Sequence, residues 1–101
     1  MRVNVTHDKG QARLAMEGRF DFACRLDFGA ACDSALAAAD VREMVIDLRR
    51  VAYLDSAALG MLLLLRDKAA AVNKTVSLTN GPGVVGEVLR VARFDRLFTM
   101  N

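Results

Sequence analysis

Apolar and polar residues alternate through Val3 and Val5, and again through Leu14 and Met16 with Arg13 and Glu17 between and beyond them. A period of two belongs to a strand with one covered face, and Asp8-Lys9-Gly10 between the runs carries turn chemistry, so residues 3–17 read as a β-hairpin. After Gly18-Arg19-Phe20-Asp21 the period lengthens. Cys24, Phe28, Ala31, Cys32, Ala35, Leu36 and Ala39 fall at i, i+4, i+7, i+8, i+11, i+12 and i+15, one face of a helix with Asp21 where an N-cap would stand. Met44-Val45-Ile46-Asp47-Leu48 is short, rich in β-branched residues and almost continuously apolar, which predicts a central strand covered on both faces.

Arg49 to Leu54 leads into Asp55-Ser56, two helix-capping residue types, and then into Ala57–Val72, built of Ala, Leu, Met, Arg, Asp and Lys. In this helix Leu59, Leu62, Leu63, Arg66 and Ala70 trace one side and Gly60, Leu64, Asp67, Lys68 and Ala71 another, so its first half is apolar most of the way round and must be buried or face a partner. Thr75 to Thr79 reads as a strand and Asn80-Gly81-Pro82-Gly83 as its end. Val84, Val85, Val88, Leu89 and Val91 imply a third helix, and Leu97-Phe98 a short last element. The order is ββαβαβα plus a short tail. Helical crossovers make most of the sheet parallel, so the expected fold is α/β: one domain over residues 1–101, a mixed sheet of four to five strands, an antiparallel N-terminal hairpin and helices packed on it.

Composition narrows the classes. The chain has 101 residues, 53% of them hydrophobic, and a mean hydropathy of +0.22, enough apolar surface to offset the entropy of ordering. The longest apolar stretch, Ala57 to Leu65, stops at Arg66, far short of the ~20 residues a membrane helix needs, and the first residues lack the apolar block of a signal peptide. A cytoplasmic protein without membrane insertion is expected. The net charge of +2 is too small for a phosphate-neutralising surface, so direct nucleic-acid binding is not expected, and Arg90, Arg93 and Arg96 read as a solvated helix face. Cys24 and Cys32 stand eight apart on the expected helix, ~12 Å between Cα atoms, too far for a disulfide. With His7 the one histidine, no metal site is expected, and the two thiols read as small core residues.

Gly81-Pro82-Gly83-Val84-Val85-Gly86 satisfies G-x-G-x-x-G between a strand and a helix, the setting of a dinucleotide fingerprint. The acidic residue that should follow about 20 positions on would fall beyond Asn101, so the run reads as a turn and helix start, and no cofactor is expected. Nucleophilic catalysis at Ser56 would need a base, and His7 sits in a distant strand. Asp21 and Asp55 alone are thin support for acid–base chemistry. Asp55 and Ser56 do stand at the mouth of a helix just beyond the central strand, where open α/β sheets gather ligands and partners.

Leu14-Ala15-Met16-Glu17-Gly18-Arg19-Phe20-Asp21, together with Val45-Ile46-Asp47-Leu48 and, after six residues, Asp55-Ser56-x-x-Leu59-Gly60, resembles the STAS domains of the anti-sigma factor antagonist family over nearly the whole length. The resemblance implies a phosphorylation site at Ser56 flanked by Asp21 and Asp55. It also implies a partner-binding patch of Asp21, Asp55, Ser56, Ala57, Ala58, Leu59, Gly60 and Met61. The implied partners are an anti-sigma factor that is also a serine protein kinase, and a cognate phosphatase; the domain itself is not an enzyme. Two departures stand out: Ala57-Ala58 replaces the usual Ser or Thr and Gly, and the chain stops soon after Phe98, without the extra C-terminal helix of many relatives. The alternative within the same fold is an unphosphorylated scaffold subunit, for example the cytoplasmic accessory of a lipid-transport complex.

Overall fold

The structure, a computed structural model, describes residues 1–79, 81 and 83–100; Asn80 and Pro82 of the expected strand break lie outside these. The hairpin consists of β1 (Arg2–Asp8) and β2 (Gln11–Phe20), paired from Arg2 opposite Glu17 to Asp8 opposite Gln11. Lys9 and Gly10 between them have φ of 48° and 82°, the left-handed pair of a type I′ two-residue turn. Beyond a 3₁₀ turn, Phe22–Cys24, follow α1 (Arg25–Ala37), β3 (Glu43–Leu54), α2 (Ser56–Ala71), β4 (Thr75–Thr79), α3 (Gly83–Val91), a second 3₁₀ turn, Phe94–Arg96, and β5 (Thr99–Met100). The strands lie in the order β1-β2-β3-β4-β5. β1 and β2 are antiparallel and the other pairings parallel, with β3 central as its composition required.

One face of the sheet carries the core. Ala12, Leu14, Met16 and Phe20 of β2, Met44, Ile46 and Leu48 of β3 and Leu78 of β4 join one buried cluster with residues of all three helices, among them Phe28, Cys32, Leu62, Leu65, Val85 and Leu89. Val45 is buried but stands outside that cluster, because alternate side chains of a strand point to opposite faces. The helices therefore share one side, yet Val45 and Asp47 on the other are buried too, so Met44–Leu48 is covered on both faces as its composition predicts. The buried stripe of α2 is Ala58, Leu62, Leu65 and Ala69, which shares only Leu62 with the two sides traced on the sequence. Cys24 and Cys32 are buried free thiols, and burial raises both, Cys32 to about 12. The first helix stops at Ala37, leaving Ala39 exposed beyond it. Lys74 closes that end by donating from Nζ to the carbonyls of Leu36 (2.6 Å) and Ala38 (2.8 Å), a cation where a helix exposes unpaired oxygens.

The central strand is longer than Met44–Leu48. It runs to Leu54, so the segment Arg49–Leu54, read as a lead into the helix, is strand. Its core residues after Leu48 are Val51 and Leu54, spaced by three. The register against β2 slips twice, between Ala15 and Glu17 and between Gly18 and Arg19, and each slip adds a residue to the β3 side. A spacing of three hides a strand from any search for period two.

On the helix-free face, Asp47 is 6% exposed and bridges two arginines. It accepts from Arg13 Nη1 at 3.0 Å, from Arg49 Nη2 at 2.7 Å and Nε at 3.0 Å, and from the Arg49 backbone N–H at 3.1 Å. Hydrogen bonds from Arg49 above all, with the nearby Arg13 charge, hold its carboxyl at about 2, below the ordinary 3.8. A folded-state value below the unfolded one contributes stability that is complete above about pH 4 and lost as pH falls through about 2. Both arginines reach solvent, so the contribution is about 1–2 kcal/mol after screening. Asp47→Asn should remove it, and denaturant titrations of the two proteins at pH 7 and pH 2.5 should differ at the first pH and converge toward the second.

Gly81 has a packing role. A Cβ built there would lie 2.6 Å from Val85 Cγ1 and 2.9 Å from the Leu48 carbonyl oxygen, so the β4–α3 connection passes against β3 only because no side chain intervenes. This accounts for the first glycine of the G-x-G-x-x-G run without a ligand. Gly81→Ala should cost about 1–3 kcal/mol by overpacking, read as a lower urea midpoint with an unchanged slope.

Candidate functional site

Two parallel strands end side by side. β2 and β3 are in register at Phe20 opposite Leu54, and the next residue of each chain segment is an aspartate that caps a turn of helix. Asp21 Oδ1 accepts from the Ala23 N–H at 3.1 Å, starting the 3₁₀ turn. Asp55 Oδ1 accepts from the Ala58 N–H at 2.9 Å, starting α2. Neighbouring strands lie about 4.8 Å apart, so the register brings Asp21 and Asp55 to adjacent places at one end of the sheet. Arg19 ties the two strands further: its Nε lies 3.5 Å from Asp21 Oδ2, and its guanidinium sits 4.2 Å over the Tyr53 ring.

The cap belongs to Asp55 alone. Ser56 is the first helical residue rather than a second cap, and it is exposed. The Asp55 side chain takes the Ala58 N–H and its carbonyl takes the Leu59 N–H at 3.3 Å. Among the described residues the N–H groups of Ser56 and Ala57 have no such partner, as the first turn of a helix leaves them. The hydroxyl therefore stands at the positive end of the α2 dipole, beside a carboxylate already engaged in the fold.

Of the docking turn, Gly60 is exposed and Ala57, Leu59 and Met61 are half-buried. Ala58 departs from the expectation. It is 0% exposed and joins the core cluster, because the position three after the cap falls on the inner stripe with Leu62 and Leu65. It supports the turn from beneath and offers no surface to a partner.

The structure adds neighbours that the sequence reading did not single out. Phe22, directly after Asp21, is 59% exposed, and Leu26 is 74% exposed; the Arg25 guanidinium lies 4.0 Å over the Phe22 ring. On the other flank, Leu59 joins Gly83, Val84, Glu87, Val88, Val91 and Ala92 around an open apolar groove of about 710 Å³. The signal was present: Phe22 and Leu26 stand four apart and off the buried stripe, and Val84, Val88 and Val91 repeat at helical spacing opposite Val85 and Leu89. Among the described residues no three His, Cys, Asp or Glu side chains gather as a metal site, and no helix is long and apolar enough to cross a membrane.

A mixed five-stranded sheet with an antiparallel N-terminal hairpin and three helices on one face is the architecture of a STAS domain. The chain belongs to the STAS-domain family: residues 3–99 match the family described as Mlab, STAS domain. A STAS-domain containing protein of Pseudomonas aeruginosa is 42% identical over 94 residues, covering 93% of this chain and 91% of that protein. Among solved structures, an anti-sigma factor antagonist from Mycobacterium paratuberculosis is 19% identical, with a TM-score of 0.85 over 98% of this chain and 83% of that one. The phosphorylated form of the Bacillus cell fate determinant SpoIIAA is 15% identical, with a TM-score of 0.75 over 99% and 91%. At these identities the likeness is one of fold.

The cap can be tested by itself. Asp55→Ala should cost about 1 kcal/mol of stability, measured by chemical denaturation, while Ser56→Ala, which removes no bond of the fold, should change stability by less than about 0.5 kcal/mol.

Proposed function

We propose that this protein is a phospho-regulated binding switch, an antagonist that sequesters an anti-sigma factor with serine kinase activity while Ser56 is unphosphorylated. The observation that carries the reading is the exposed Ser56 hydroxyl at the first position of α2, flanked by the Asp55 cap and the half-buried Ala57, Leu59 and Met61. Phosphorylation there adds about −1.5 to −2 units of charge. The free N–H groups of the first turn and the helix dipole let the fold tolerate that charge, whereas a partner surface facing Asp21 and Asp55 meets concentrated negative charge and releases. Catalysis belongs to the partners, the kinase and a phosphatase that resets the serine, and the domain works in the cytoplasm without binding nucleic acid or inserting in a membrane.

A second reading is supported by the family description, which is the Mlab kind of STAS domain, and by Ala57-Ala58 in place of a second hydroxyl and a glycine. In it the same surface is a constant docking face of a scaffold subunit, for example the accessory of a lipid-transport complex. Titration of a cognate kinase with three forms of the protein separates the two. Under switching, Ser56→Ala binds as the unmodified protein does and is not phosphorylated by intact mass with ATP, while Ser56→Asp binds more weakly by about 1–3 kcal/mol. Equal binding by all three, with no phosphoryl group gained by the wild type, favours the scaffold.

A further inference from the structure

β1 is the outermost strand on its side of the sheet. It is seven residues long, runs without a register slip against β2, has neither lysine, proline nor bulge, and carries its charged Arg2 and Asp8 only at its two ends, so its middle is an open edge of the kind that pairs. The phase of its hydrogen bonds follows from the two-residue turn. In such a hairpin the residues flanking the turn, here Asp8 and Gln11, form a hydrogen-bonded pair, and pairs of that kind alternate along the ladder. Asp8, Thr6, Asn4 and Arg2 therefore direct their backbone groups toward β2, and His7, Val5 and Val3 direct theirs outward.

We propose that this edge is a self-association surface, on which a second copy of the chain pairs β1 antiparallel to β1 about a two-fold axis at Val5. The outward phase requires hydrogen-bonded pairs between odd-numbered residues. Centring on Val5 gives Val5 opposite the partner's Val5 and Val3 opposite the partner's His7, and it is the register that pairs all seven residues. It also places Arg2 opposite the partner's Asp8 at both ends, and Asn4 opposite the partner's Thr6. The sequence Arg-Val-Asn-Val-Thr-His-Asp is thus complementary to itself in charge when read in reverse, which is what an isologous contact demands. Val5 at the centre is 41% exposed, and the pairing sets it beside the partner's Val5. A two-fold contact of this kind uses the same edge of both copies, so the association closes at two. It leaves the Ser56 end of each copy's central strand open.

Sedimentation velocity from about 5 to 500 µM tests this, since a single strand pairing sits at the small end of interface sizes and implies a dissociation constant on the order of 10–100 µM. The wild type should dimerise across that range. Val5→Lys, which sets two cations against each other on the axis, should weaken the dimer at least tenfold, with the thermal melt confirming a folded monomer. Arg2→Asp and Asp8→Arg should each weaken it, and the two together should restore it to within about threefold of wild type. These charge variants decide the matter alone if Val5→Lys does not fold. A wild type that remains monomeric at 500 µM, a dimer indifferent to Val5→Lys, or a double variant no tighter than either single one would overturn the proposal.

Discussion

The parallel pairing of β2 with β3 holds the molecule in its working arrangement. Nine residue pairs connect these two strands, from Gln11 opposite Glu43 to Phe20 opposite Leu54. Along the helix side that register stacks Ala12 on Met44 and Leu14 on Ile46, the floor on which the helices pack. On the other side it brings Arg13 within reach of Asp47. At the far end it delivers two aspartates together, so that one pairing sets the core, the buried ion cluster and the candidate site. Long-range pairing of this kind is the slow and entropically costly part of such a fold, and the hairpin tip supports it locally: the Gly10 carbonyl accepts from the N–H groups of Arg42 (2.7 Å) and Glu43 (3.2 Å), fastening the turn to the first residue of β3.

The candidate site separates what stabilises the fold from what a partner touches. Asp55 spends its side chain on the Ala58 N–H, Ala58 itself is core, and Asp21 caps its own turn. The Ser56 hydroxyl stands outside these bonds. A modification at that atom changes charge at the surface while the groups that define the helix start remain engaged, which is the physical requirement for altering affinity without altering the structure. The exposed Phe22 and Leu26 on one flank and the α3 groove on the other enlarge the apolar area around that point beyond the first turn of α2.

Much of this arrangement was legible in the residues. Period two marked the hairpin, the β-branched run marked the central strand, and Thr75–Thr79 has the bounds the sequence suggested. Each miss has a physical cause. Burial of Met44–Leu48 on both faces was readable from its apolar run, but Asp47, a charge within that run, gave no hint that its partners lay 34 residues before and two after it. The sequence left the buried stripe of α2 open, because the first half of that helix is apolar most of the way round and periodicity alone could not choose a face. Ala58 entered the docking patch by resemblance to the family, whereas its place three residues after the cap puts it on the inner stripe. The helix-end role of Lys74 depends on two loops meeting, which no local pattern records.

The two register slips have a consequence for how this sheet can change length. In a pleated strand one added residue inverts every side chain beyond it unless the pairing slips to absorb it. Each slip here absorbs one: Val51, opposite Gly18, is back on the core side after the first, and Leu54, opposite Phe20, after the second. The central strand thus gains two residues on its neighbour toward the functional end, and each gain is corrected where it occurs, so the orientation of that end is preserved.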